Sequence, residues 1–400
     1  MAEQIDFSSI KLVESVINDE IRDKCRQLCS EFIAGPWKDL TLDEITVTPI
    51  EDGLSNRIYA CTNLKLTSSK QSGLNANIPA KVVVRLHGSS FVGDQGDMIV
   101  VSMDALPLIG EKLYQKGFAP KIYGVFKEGR IEHYIEGIKF PPATWHNTEI
   151  IDCIIRKMAE IHQLEMPISK DPCSVLKMAE KFYNLAQENN SFLSVDCYEP
   201  EYRPMVQQLL EYDSIGTAEW LRDMAQYIKS PTVFCHNDLH FGNILDRQNS
   251  DSLDKRIMII DYDNCSYGFR SYDLAFFFYA KSFIPGRAET WAGQTITTRE
   301  EKKRMLKVYL DHLIKIRDGD IDPEVDNLEN LEREIDFGDI LLQFVFKSVG
   351  RGKMSPALAP IFHIMSDNIE KQDANVAEAK ERCEQYKQSI LSGTGKKSSE

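Results

Sequence analysis

The stretch that decides the reading is His236–Leu245, HNDLHFGNIL. It follows a short apolar run, Thr232–Cys235, that reads as a strand, and it closes on apolar Ile244-Leu245. Between the two runs stand His236, Asn237 and Asp238, with Asn243 five residues beyond the acid. An ordinary core strand needs no acid and two amides; a loop that aims polar groups at a shared site does. Further on, IMIIDYD sets Asp261 at the end of another apolar run.

Asp238 and Asn243 have the spacing of the protein-kinase catalytic loop, whose Asp accepts the substrate hydroxyl proton and whose Asn holds Mg2+. A second Asp after a short β pair binds the other side of that metal, and Asp261 stands in its place. Phosphoryl transfer from ATP needs Mg2+ on the phosphates, and hard cations take oxygen ligands from Asp and Asn. It also needs a carboxylate within hydrogen-bond reach of the attacking hydroxyl. H-x-D alone arises by chance, whereas strand, His, Asp, Asn, strand and Asp in order form a far narrower pattern.

The totals bound the reading. Four hundred residues, 42% hydrophobic and 27% charged, describe a globular chain of two or three domains or one two-lobed unit. A net charge of −14 argues against a nucleic-acid partner, which would need a basic face. Nine cysteines without a C-x-x-C pair indicate reduced, buried thiols rather than metal or redox chemistry. No signal peptide opens the chain and no apolar run approaches membrane-spanning length, so a cytosolic protein without membrane insertion is expected.

The first third alternates strands with one inserted helix. A helix is expected over 21–33 and another near 101–117, with strands in ITVTPIEDGLSNRIYACTNL, AKVVVRLHG, PKIYGVF and RIEHYI, and an exposed loop over 67–79. From about residue 147 the period becomes helical, interrupted by the strand pair around HNDLHFGNIL and KRIMIIDYDNC. Further helices fall over 299–316, 331–350 and 371–391, ahead of a disordered tail. The expected division is a β-rich lobe over 1–137, a helical lobe over 138–390 carrying the catalytic loop and metal site, and the tail over 391–400. Asp336-Phe337-Gly338 spells the kinase metal tripeptide, but it lies in a helical acidic segment far past the loop and reads as coincidence.

The segments VFCHNDLHFGNILDR, IMIIDYDNCSYGFRSYDLAFFF, DGLSNRIYAC, VVVRLHG and APKIYGVFKEGRIEHYI resemble the choline/ethanolamine kinase family within the aminoglycoside phosphotransferase group. The resemblance implies an α+β, bilobal protein-kinase-like fold with ATP between the lobes. It implies Asp238 as catalytic base and Asn243 and Asp261 as Mg2+ ligands, with Asp263 as a companion acid. Gly53, Ser55 and Asn56 would cover the phosphates, Arg85 would face them, and the backbone of Glu132, His133, Tyr134 and Ile135 would bond adenine. His236 and Asp273 are expected to orient the loop, and His162 to be a packed structural residue. A small amino-alcohol is the implied substrate, and a homodimer is suggested.

The chain departs from the family pattern in several places. Asp52-Gly53 replaces paired glycines, and His240 and Phe241 stand at two polar positions. Ala280 stands where the family has an acid near the amine. A late helix reads DILLQFVFKSVG where choline kinases carry a Trp pair, leaving Phe277, Tyr279, Phe344 and Phe346 as candidate replacements. Asp104 is the candidate acid for the strand cation. Trimethylammonium relies on cation–π contact and carboxylate attraction, while ethanolamine offers three N–H donors. Choline is the leading acceptor, with ethanolamine, another small alcohol, and a catalytically weakened kinase-fold binding module as alternatives.

Overall fold

The computed structural model describes residues 17–50, 56–67, 78–87, 101–102, 104–188, 194–248, 251–281, 297–353 and 359–392. Gly53, Ser55, Trp291, most of the 67–79 loop and the tail from 393 onward lie outside these residues. By contact the chain forms two compact units: residues 1–139 with 244–263, and residues 140–243 with 264–400.

The first unit opens with α1 (Asp19–Phe32), capped by Asn18, whose side chain accepts the Ile21 N–H at 2.9 Å. Then come β1 (Ile45–Pro49), β2 (Asn56–Asn63), the single turn α2 (Leu64–Thr67), β3 (Lys81–His87), α3 (Leu106–Gln115), β4 (Ile122–Phe126), β5 (Gly129–His133) and β6 (Ile138–Lys139). The first five strands form one antiparallel sheet in the order β1-β2-β3-β5-β4. Cys25 and Cys29 of α1 pack with Trp37, Tyr59, Cys61 and Val84 in its core. All nine cysteines are free; seven are buried, but Cys173 is half-buried and Cys197 exposed, so the expectation of buried thiols fails at those two.

Arg85 on β3 lies directly opposite Arg130 on β5, so the two side chains share one sheet face. The strands come close just there. A Cβ on Gly129 would fall 1.9 Å from the Arg85 carbonyl oxygen, so the position admits no side chain.

The second unit begins with α4 (Thr148–Ile161), α5 (Ser174–Glu188), α6 (Arg203–Glu211), α7 (Ser214–Ile228) and β7 (Thr232–Cys235). The chain then returns to the first unit for β8 (Ile244–Asp246), the single turn α8 (Leu253–Arg256) and β9 (Ile257–Ile259). These strands group there because β6 pairs with β8 and β8 with β9, whereas the sequence alone assigned the whole stretch to the helical lobe. Back in the second unit, β10 (Ser266–Phe269) pairs with β7 and leads into α9 (Arg270–Ala280), α10 (Arg299–Ile316), α11 (Leu328–Lys353) and α12 (Ala359–Leu391).

Helix α9 is buried at every position, and with α5, α7 and α11 it forms the core of this unit. Where Gly338 of α11 meets α9, an added Cβ would fall 2.3 Å from the Ser271 carbonyl oxygen. The tripeptide beginning at Asp336 is therefore a packing feature. Asp336 accepts bonds from Arg299 and Arg382, which tie α10 and α12 to α11. Among the described residues no helix is long and apolar enough to cross a membrane.

Candidate active site

The loop after β7 is held by backbone and side chain together. Asp273 of α9 accepts the His236 N–H at 3.0 Å and the Asn237 N–H at 2.7 Å. His162 bonds the same carboxylate through Nε2 at 3.1 Å and meets the Tyr309 hydroxyl through Nδ1 at 2.8 Å. Burial pushes the Asp273 carboxyl up, but the bond to His162 and the nearby imidazoles outweigh it and hold the group below its ordinary value. The expectations for Asp273 and His162 agree with this geometry.

Asn237 adopts φ 64°, a left-handed conformation that Asn tolerates better than most residues, and its amide donates to the Asn264 carbonyl and the Ser266 hydroxyl. This bend presents Asp238. One carboxylate oxygen accepts from Asn264 Nδ2 at 3.1 Å, and the backbone N–H donates to His236 Nδ1 at 3.3 Å. Asn243 donates its amide N–H to the Asp238 carbonyl oxygen at 2.9 Å, an orientation in which its amide oxygen takes no part in this bond. The imidazole of His240 is turned by the Gly242 N–H it accepts, with Nε2 3.9 Å from the Asp238 carboxylate. Phe241, at a polar position of the family pattern, is buried and stacks on Trp145 at 5.1 Å.

In the first unit, Arg85 and Arg130 meet three carboxylates. Arg85 donates one N–H group to Asp261 at 3.2 Å and to Asp263 at 3.3 Å. Arg130 donates to the other oxygen of Asp263 at 2.7 Å and through Nε to Glu132. Burial raises the Asp263 and Glu132 carboxyls, yet the two guanidinium groups overcome it and hold both below their ordinary values. Arg85 Nε is buried without a hydrogen-bond partner among the described residues, its ion-pair neighbour Glu132 standing 3.8 Å away. Asp104 is exposed, so the acidic partners of Arg85 here are Asp261, Asp263 and Glu132 rather than the candidate taken from sequence.

Within the first unit, the donor types of this cluster are those a divalent cation and a phosphate take, carboxylate oxygens and guanidinium N–H groups. Asp261 is the most exposed acid of the cluster, its side chain 28% accessible, and its carboxylate is a hard oxygen donor; within the second unit, taken by itself, the Asn243 amide oxygen is a donor of the same kind. Asp261 adopts φ 65°, which costs an acidic side chain about 1–3 kcal/mol and is the kind of strain stored at functional positions. The unpartnered Arg85 Nε is a donor suited to a phosphate oxygen. Of the remaining expected residues, Asn56 opens β2 and Glu132 turns its side chain into the arginine cluster. His133 bonds the Tyr123 hydroxyl, Tyr134 lies under the Lys81 ammonium, and Ile135 follows β5 outside any strand. Sequence reasoning missed Arg130 and Asn264. The signal for Arg130 was present: in GRIEH, Arg130 and Glu132 alternate onto the same face of the strand, two opposite charges side by side.

The aromatic candidates for an ammonium cage divide. Phe277 and Phe344 are fully buried and serve the core, so they are not cage residues. Tyr279 and the half-buried Phe346 face each other at 5.0 Å. Tyr279 also lines a cleft with Phe278, Thr297, Lys302 and Asp339, in which Lys302 donates to the Asp339 carboxylate at 2.5 Å.

Residues 47–348 match the choline/ethanolamine kinase family model. The chain is 28% identical over 260 residues to a choline/ethanolamine kinase of Rattus norvegicus, a match covering 65% of this chain and 61% of that protein, so it spans about three fifths of that relative. The solved structure of a Cryptosporidium parvum choline kinase superposes with a TM-score of 0.57 at 19% identity, covering 93% of this chain and 97% of that one. A Plasmodium vivax ethanolamine kinase gives 0.59 at 18% identity, covering 90% and 97%. At that identity the two structures speak for the fold alone, a kinase-like α+β fold.

Proposed function

Because the chain belongs to the choline/ethanolamine kinase family, we propose that it is a cytosolic kinase transferring the γ-phosphoryl group of ATP to the hydroxyl of a small amino-alcohol, choline first and ethanolamine second. The observation that carries this is the intact polar set: Asp238 steadied by Asn264, Asn243 with its amide oxygen left for metal, and Asp261 beside a buried arginine.

Asp238 accepts the proton as the acceptor oxygen bonds to the γ-phosphorus and the bond to the β–γ bridging oxygen breaks. Asn264 and His236 fix the direction of Asp238, and Asp273 fixes the loop that carries it. Arg85 brings a phosphate-facing guanidinium. Asn243 and Asp261 would hold Mg2+, which when bound offsets phosphate charge. Choline is placed ahead of ethanolamine because the one acid lining the Tyr279 cleft is already paired with Lys302, so it is not left to accept from an ammonium N–H, while Tyr279 gives that cleft an aromatic wall.

The test is steady-state ADP release from Mg-ATP with choline, with ethanolamine and without acceptor. Stimulation by choline above ethanolamine supports the reading, and the reverse order assigns ethanolamine. Nucleotide binding without stimulation by either amine would leave a kinase for another alcohol or a binding module.

A further inference from the structure

We propose that Arg130 is a positioning residue for nucleotide, resting on the kinase reading above: it anchors Asp263 and Glu132 so that Arg85 can turn to a phosphate without leaving a buried carboxylate unpaired. The argument begins with a conflict. Arg85 is the cation expected to meet phosphate, yet in the structure it donates to Asp261 and Asp263. A buried carboxylate that loses its only cation is heavily penalised, so a lone Arg85 could not be given up cheaply.

The geometry of Arg130 answers the conflict. Its two-armed guanidinium spans Asp263 on one side and Glu132 on the other, from the β5 position directly opposite Arg85. Asp263 is therefore held at both oxygens by different arginines, and only the Arg85 half needs to be released. The unpartnered Arg85 Nε shows that Arg85 is incompletely satisfied where it stands. Arg130 is buried and bonded to acids, so it acts through its neighbours.

The arrangement also explains the residue type. Lys would keep the charge, but a single ammonium cannot reproduce a planar fork reaching two carboxylates. A partner that orients binding groups from behind typically contributes about 10–100-fold to affinity.

The experiment measures the dissociation constant of a fluorescent ADP analogue in saturating Mg2+, alongside the melting temperature, for the full chain and four variants: Arg130→Gln, Arg130→Lys, Asp263→Asn, and Arg130→Gln with Asp263→Asn. Arg130→Gln is expected to weaken binding roughly 10–100-fold, and Arg130→Lys about tenfold. Adding Asp263→Asn to Arg130→Gln should recover much of the loss, because the acid that then monopolises Arg85 is gone. A merely structural role would not give that recovery. Parental affinity in folded Arg130→Gln, or no recovery in the double variant, would overturn the proposal. If Arg130→Gln does not fold, parental affinity in Arg130→Lys would overturn it equally. A parent chain that binds no nucleotide would instead overturn the kinase reading, and this proposal with it.

Discussion

The chain buries two arginine networks of opposite character. In the second unit, Arg270 donates to both oxygens of Glu334, to Asp326 and to the Val325 carbonyl, and Ser230 and Asn330 complete the Glu334 shell. Every nitrogen of that guanidinium has a partner. In the first unit, two arginines face three carboxylates, one buried nitrogen, Arg85 Nε, has no hydrogen bond among the described residues, and one acid is partly open to solvent. A closed network fastens helices together; an open one keeps capacity for something else. The comparison separates a buried ion cluster whose groups are all spent on one another from one that keeps a donor and an acid in reserve, though both are equally polar on paper.

The sharpest way to break this contrast is to pair a substitution that targets chemistry with one that targets the closed network. Asp238→Asn should lower turnover by about 10²–10⁴-fold while leaving the unfolding midpoint in place. Arg270→Met should lower the unfolding free energy by about 3–5 kcal/mol, since Glu334 would remain buried without its cation, Asp326 keeping Arg317. Urea unfolding of both variants beside a turnover assay decides the matter. A stable Arg270→Met chain would erase the distinction.

A smaller effect comes from pH. Glu132 and Asp263 are held below their ordinary values, so their stabilising contribution is complete above the unfolded carboxylate range near pH 4 and is lost as pH falls through their folded values. Glu334 runs the other way, because burial outweighs Arg270 and raises its carboxyl. Its contribution is present at low pH and lost as pH rises through the raised value. A tenfold difference in proton affinity between the folded and unfolded chain is worth about 1.4 kcal/mol. Asp263→Asn should therefore flatten the loss of stability between about pH 5 and the acid limit, read from urea midpoints. An unchanged acid slope would detach Asp263 from it.

The smallest expected effect tests the misleading tripeptide. Asp336→Ala frees Arg299 and Arg382, both partly exposed and able to reach water, so about 1 kcal/mol should be lost. Mg2+-dependent nucleotide affinity should not move. If it falls, Asp336 belongs to the metal chemistry after all.

Much of this was legible because polar residues interrupt apolar runs at fixed spacing. Asp238, Asn243 and Asp261 stand out for that reason, and α10 occupies Arg299–Ile316 as its period predicts. The misses have physical causes. Helix α9 is buried on all sides, so its sequence RSYDLAFFFYA carries no amphipathic period to read. Strand β10 is four residues long and held mainly by its pairing with β7. The grouping of 244–263 with the first unit depends on the pairing of β6 with β8, elements far apart along the chain, which no local pattern encodes. Arg130 escaped because its partner Asp263 is equally distant in sequence.

Gly129 gives the arginine pair an unexpected vulnerability. The residue carries no charge and no side chain, yet a single methyl group there would collide with the Arg85 carbonyl and push β5 away from β3. Drift in this lineage could thus displace Arg85 from Asp261 and Asp263 without altering any ionisable residue. A search for inactive relatives that inspects only the acids and arginines would pass over such a change.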